Sequence, residues 1–172
     1  DRLWTPHLLE NFSAPLVEGL DPVIWLGALR GILLIICLIA TEVARRRVDV
    51  SRSAPLARAL MGNAGGIVLA LASFGLARSF WLALILYGAV GTLRSVRQPL
   101  HAAWFNQRID DPQVRATMFS VSGQVDAIGQ IAGGPAVGAI GNRSMRAALV
   151  TSALLLTPVL PLYAAAIRRD EE

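Results

Sequence analysis

The sequence has no lysine, one cysteine and two histidines among its 172 residues. The single Cys37 excludes an intramolecular disulfide. His7 and His101 lie far apart without a neighbouring Cys or carboxylate cluster, so neither a metal site nor a catalytic cluster is expected. The basic residues are scattered arginines that build no basic face with interleaved aromatics, which argues against nucleic-acid binding. We therefore expect a protein that is not an enzyme and that needs no cofactor.

Charge is also scarce. Only 16% of the residues are charged, against about 25% in soluble domains. Hydrophobic residues make up 54% of the chain, and the mean hydropathy is +0.52. They form long continuous runs rather than an alternating or amphipathic pattern. This pattern predicts an all-α membrane protein that has the lipid bilayer as its main surroundings.

Five runs are long enough to cross the hydrocarbon core, which takes roughly 20 helical residues. We predict membrane-spanning helices at 23–43, 59–77, 80–103, 112–141 and 147–167. Asp111 and Pro112 have the order of an N-cap and a first-turn proline. Ser144 opens the last helix, which Pro158 and Pro161 should bend. Residues 1–20 are predicted to hold the end of a further, incomplete helix and an outer loop, so the chain is expected to be a fragment.

The arginines also predict the topology, because loops rich in arginine stay in the cytoplasm. Nine arginines lie in the loop 44–58, in the turn 108–115 and after residue 167, and only a few lie in the opposite loops. The loop 44–58 and the tail 168–172 should therefore be cytoplasmic. An arginine-only basic set is typical of GC-rich bacterial coding, so we expect a multi-pass protein of a bacterial plasma (inner) membrane.

The stretch "GQVDAIGQIAGGPAVGAIG" at 123–141 is rich in glycine, as phosphate-binding loops are. A phosphate loop needs Lys and then Ser or Thr after its last glycine, whereas Pro135 and Ala136 follow Gly134 here. Small residues spaced by four instead let membrane helices approach closely. We interpret four glycines as packing or gating positions on a helix that Pro135 kinks: Gly129, Gly133, Gly134 and Gly138.

Asp126 lies fourteen residues past the predicted helix start, roughly 21 Å along the helix and near the middle of the bilayer. A charge at that depth costs at least ~2.5–3.5 kcal/mol, so Asp126 should face a cavity or a partner. Gln130 falls on the same helix face. Arg94 lies at similar depth on the third span and is the natural ion-pair partner. Asp126, Gln130 and Arg94 are thus the first candidates for a substrate or proton pathway.

Further polar residues lie on the second and third spans. Arg97 and His101 recur at helical spacing after Arg94, with Gln98 adjacent, but nearer the cytoplasmic surface. They can snorkel to that surface or contact a substrate, and the sequence leaves both open. Asn63 is a lone polar group in an apolar span, and such groups more often join helices than bind ligands. It is nevertheless a further candidate, with Arg97 and Gln98, for lining the substrate or proton pathway.

Three parts of the sequence resemble the C-terminal half of bacterial major facilitator superfamily transporters. They are "DRLWTPHLL", "VRQPLHAAWFNQRIDDPQVRATMFSVSGQVDAIGQIAGGPAVG" and the uncharged last helix. The nearest resemblance is to drug-efflux permeases of the tetracycline-resistance-like kind. It covers essentially the whole chain, which would hold the end of helix seven and helices eight to twelve. The loop 44–58 keeps the basic character of the family's Gly-Asp-Arg-Arg gating motif without its sequence.

The resemblance implies half of a twelve-helix transporter that works by alternating access, commonly as a proton antiporter. Its partners would be the N-terminal half, a small organic substrate and coupling protons. The alternative is a small structural or assembly subunit in which Asp126 and Arg94 only clamp two helices together.

Overall fold

The computed structural model describes residues 22–49, 53–109 and 111–171, and every regular element in these ranges is an α-helix. The predicted all-α class is therefore confirmed. The incomplete helix predicted at 1–20 lies outside the described residues. The helices are α1 (Pro22–Arg47), α2 (Ser53–Leu76), α3 (Phe80–Arg108), α4 (Pro112–Gly141), α5 (Met145–Leu156) and α6 (Val159–Glu171).

Three stretches of the described chain are long and apolar enough to cross a membrane: Gly27–Arg47, Ser53–Leu76 and Met145–Arg168. The chain thus has the helices of a multi-pass membrane protein. The other two predicted spans correspond to α3 and α4, which have 29 and 30 residues and so also have the length. Their polar positions, such as Arg94 and Asp126, make them less apolar than the other three. Five spans were expected, and three of them are long and apolar enough to cross a membrane in the described part of the chain.

Local sequence signals set several helix ends. The Asp111 carboxylate accepts a hydrogen bond from the Gln113 amide at 2.8 Å, and Pro112 occupies the first turn. The Ser144 hydroxyl accepts one from the Ala147 amide at 3.3 Å. Both predicted caps are confirmed. The last span is divided at Thr157 and Pro158, because proline has no amide hydrogen with which to continue the helix.

The first two helices reach further into the predicted 44–58 loop than expected. α1 continues to Arg47 and α2 begins at Ser53, which leaves a short linker. Arginine is a good helix former, and the Glu42 carboxylate forms ion pairs with Arg45 and Arg46 one turn on. Pro55 falls in the first turn of α2, where a helix tolerates proline.

α2 is the central helix and packs against α3, α5 and α6. Its Leu56 and Leu60 are fully buried, and its other end belongs to an apolar cluster with Phe74 and Leu149. At Gly75 the backbones of α2 and α5 come close together. A β-carbon there would lie 3.0 Å from the Leu149 β-carbon and 3.2 Å from the Arg146 carbonyl oxygen. A glycine thus sets the spacing of these two helices.

Candidate functional site

The polar helix α4 is held at its ends and exposed along its middle. Near its start, the Arg115 guanidinium donates to the Ile109 carbonyl at 2.8 and 3.2 Å. The Phe119 ring contacts Phe105 of α3, with 5.5 Å between ring centroids. At its far end, α4 turns into α5 through Asn142. None of its residues is buried. α4 therefore presents most of its surface outward.

Asp126 and Gln130 lie together on this exposed surface. The Gln130 amide nitrogen Nε2 donates a hydrogen bond to Asp126 Oδ2 at 3.0 Å. The two residues are four apart, which places them on one face of the helix. Both side chains are exposed. Asp126 and Gln130 therefore lie on one face of α4, as the sequence predicts, and this face is exposed.

Arg94 is exposed on α3, but the ion pair with Asp126 is not formed in this arrangement of the described helices. α4 packs mainly against α5, and its aromatic contact with α3 lies near the turn that joins them. Equal depth along two helices therefore does not bring these charges together here. Arg97 and Gln98 are likewise exposed on α3, one turn further on.

Asn63 has a different position, on the packed side of α2. It is only 8% exposed, and its amide nitrogen Nδ2 donates to the Leu93 carbonyl of α3 at 3.0 Å. Its other amide atom, Oδ1, is buried with no hydrogen-bond partner among the described residues. Asn63 thus joins α2 to α3 and lies apart from the exposed face that carries Asp126.

Replacing Asn63 tests this structural role. Asn63→Leu should change the free energy of unfolding by less than ~1 kcal/mol, because a lost interhelical bond of about 0.6 kcal/mol is offset by removing the unpartnered Oδ1. Asn63→Asp should cost roughly 3 kcal/mol or more, since it buries a carboxylate against the Leu93 carbonyl. Thermal unfolding in detergent distinguishes the two. Equal losses in both variants would contradict this expectation, because both remove the Nδ2 donor but only the Asp variant buries a charge.

The four glycines predicted to pack lie on the open part of α4. A β-carbon at Gly129, Gly133, Gly134 or Gly138 would meet no atom within 4 Å. Pro135 lies inside the continuous helix. Their packing role is therefore not realised between described helices. The close contacts occur instead at Gly75, and at Gly88, where a β-carbon would lie 2.7 Å from the Leu33 side chain.

An aromatic cluster joins α3, α4 and α6, and the amino-acid sequence contains only a weak signal for it. The His101 ring stacks edge-on against Phe105, with 4.7 Å between ring centroids. The ring centroids of Trp104 and Tyr163 of α6 are 6.1 Å apart. The Arg108 guanidinium lies 5.1 Å from the centroid of the Trp104 ring. The spacing of residues 101, 104 and 105 places them on one face, but their partners are remote in sequence. The cluster fixes this end of the helices.

Within the part of the chain that the structure describes, no three His, Cys, Asp or Glu side chains come close enough together to hold a metal ion. Comparison of the chain with known protein families, curated proteins and solved structures finds no match. The family resemblance therefore depends on the sequence segments quoted above.

Proposed function

We propose that the chain is the C-terminal half of a major facilitator-type transporter that exports small organic molecules by alternating access. It would contain the end of helix seven and helices eight to twelve. In this proposal α3 and α4 cross the membrane beside the three apolar spans, and the C-terminal tail lies in the cytoplasm of a bacterial cell. Protons would be the coupling ion.

The exposed Asp126 carboxylate is the observation that carries this proposal. It lies near the middle of α4, which has 30 residues, and its hydrogen bond comes from Gln130 of the same helix. A carboxylate facing hydrocarbon at this depth costs at least ~2.5–3.5 kcal/mol. The α4 face must therefore meet water or protein rather than lipid. A water-filled cavity between two transporter halves supplies both.

The covering partner would be the N-terminal half of the same transporter. Because a β-carbon at any of the four α4 glycines would meet no atom within 4 Å, these positions leave room for close contact with a helix of that half. Arg94, Arg97 and Gln98 are exposed on α3 and would line the same cavity. The alternative, a purely structural subunit with an Asp126–Arg94 clamp, has less support, since the hydrogen bond to the Asp126 carboxylate comes from Gln130 of the same helix.

The proposal predicts that this chain alone cannot transport, because the substrate cavity needs both halves. Proteoliposomes holding the chain alone should move fluorescent organic cations and weak acids no faster than empty liposomes. Proteoliposomes that also hold the N-terminal half should move at least one of them against a gradient when a proton gradient is applied. Transport by the chain alone would contradict the two-half arrangement, and failure of the assembled halves on every substrate would contradict the transporter function.

A further inference from the structure

An open groove of about 710 Å³ runs along α1 and reaches Ser95 of α3. Leu34 and Leu38 form much of its wall, and Glu42 and Arg46 lie at one end. From residue 34 to residue 46 the helix rises roughly 18 Å. One leaflet of the hydrocarbon core is about 15 Å deep. The groove is therefore about as long as one lipid acyl chain together with the part of the headgroup nearest to it.

The polar groups along the groove form hydrogen bonds to the protein. The Thr41 hydroxyl donates to the Cys37 carbonyl of its own helix at 2.8 Å, and the Ser95 hydroxyl donates to the Gly91 carbonyl at 3.1 Å. The Cys37 thiol lies 3.5 Å from the Thr92 hydroxyl of α3. Because these donors are occupied, the middle of the groove offers little to a polar ligand and suits a hydrocarbon chain.

The end of the groove is positively charged. The Glu42 carboxylate accepts from Arg45 at 2.9 and 3.0 Å and from Arg46 at 2.7 Å. Arg47 follows at the same helix end, so the last turn of α1 carries three arginines and the Glu42 carboxylate contacts two of them. The Arg45 and Arg46 side chains are 71% and 75% exposed. This excess of positive charge at the end of an apolar groove is complementary to the phosphate of an anionic lipid.

We propose that this groove binds an anionic phospholipid, with an acyl chain along Leu34 and Leu38 and the phosphate at Arg46 and Arg47. The Glu42 carboxylate holds the Arg45 and Arg46 side chains near the groove end. A guanidinium group can bind a phosphate through two parallel hydrogen bonds. The site requires only that α1 lies in a membrane, so it does not depend on the transport function. The occupant is a lipid with a net negative headgroup rather than any lipid of similar length.

Native mass spectrometry of the purified chain in detergent tests whether the groove prefers an anionic headgroup. The chain is titrated with phosphatidylglycerol or with phosphatidylcholine of the same acyl chains, and we expect tighter binding of phosphatidylglycerol. Arg46→Gln with Arg47→Gln should weaken that binding roughly 25-fold, since each arginine near an anionic headgroup contributes about fivefold. The matched control, Arg143→Gln with Arg146→Gln, changes the charge equally on exposed arginines at the start of α5 and should leave binding unchanged.

A second pair of variants tests the groove itself. Ser95→Phe should fill the groove and weaken phosphatidylglycerol binding, whereas Ser73→Phe, on the exposed side of α2, should not. Circular dichroism checks that all variants keep their helices. Equal binding of the two lipids, or equal losses in both arginine pairs, would overturn the anionic lipid site. Loss in the arginine pair with none in Ser95→Phe would mean that surface charge alone attracts the lipid, and would overturn the groove.

Discussion

Replacing Gly75 with leucine should strongly destabilise the chain, because it forces α2 and α5 apart. The nearest atoms to a new side chain include the Arg146 carbonyl oxygen at 3.2 Å, which belongs to the backbone of α5 and cannot rotate away. The helices must separate, and overpacking of this kind costs about 3 kcal/mol. We expect the melting temperature in detergent to fall by roughly 10 °C.

Gly129→Leu is the matched control for this experiment. Gly129 is also a glycine inside a long helix, but a β-carbon there meets no atom within 4 Å. Because leucine favours a helix over glycine by up to about 1 kcal/mol, this variant should be as stable as the parent or slightly more so. Similar losses in both variants would show that α2 and α5 are not packed at Gly75 as described. In an assembled transporter, Gly129→Leu should instead impair activity.

Under the proposed transport function, Asp126→Asn should abolish most transport by the assembled protein while leaving the fold intact. The side chain is exposed and keeps an acceptor for Gln130, so the stability of the chain should change little. The substitution removes the one charge that the middle of α4 carries. We expect the transport rate to fall on the order of a hundredfold, which corresponds to ~2.7 kcal/mol. Transport assays in proteoliposomes, together with thermal unfolding of the same samples, measure both quantities.

Replacing both Asp126 and Arg94 with leucine distinguishes a substrate cavity lined by these residues from an ion pair that only holds two helices together. If the two charges only held helices together, a double apolar replacement of similar size would preserve transport. If they line the substrate cavity, the double variant should be as inactive as Asp126→Asn. Asp126→Glu keeps the charge and should retain partial activity. Full activity of the Asn variant would remove Asp126 from the transport pathway altogether.

Features set by neighbouring residues were predictable from the sequence, and features set by helix packing were not. Asp111 and Ser144 cap their helices through atoms two or three residues away, so short motifs suffice to identify them. Depth along a helix follows from counting residues, and both Asp126 and Arg94 are near the middle of their helices. Whether they meet depends on how α3 and α4 are rotated and spaced. Residue spacing within one helix carries no information on that.

The four glycines of α4 also show that residue spacing does not identify the packing partner. Four-residue spacing identifies a face of α4 that another helix could approach closely, but it does not identify the helix. The close approach at Gly75 depends on Leu149, more than seventy residues away, and no repeat in the sequence signals it. The aromatic contact between Trp104 and Tyr163 joins residues almost sixty apart. Such pairs become evident only once the helices are placed.

The open polar face of α4 has a consequence for the lifetime of the protein in a cell. A newly inserted chain would present the Asp126 carboxylate and the Gln130 amide to the bilayer until something covers them. Quality-control proteases degrade subunits that remain unassembled, and modest energetic differences change protein abundance several-fold. The cellular supply of this chain would then be set by how quickly its polar helix finds a partner, and not only by how well the chain folds.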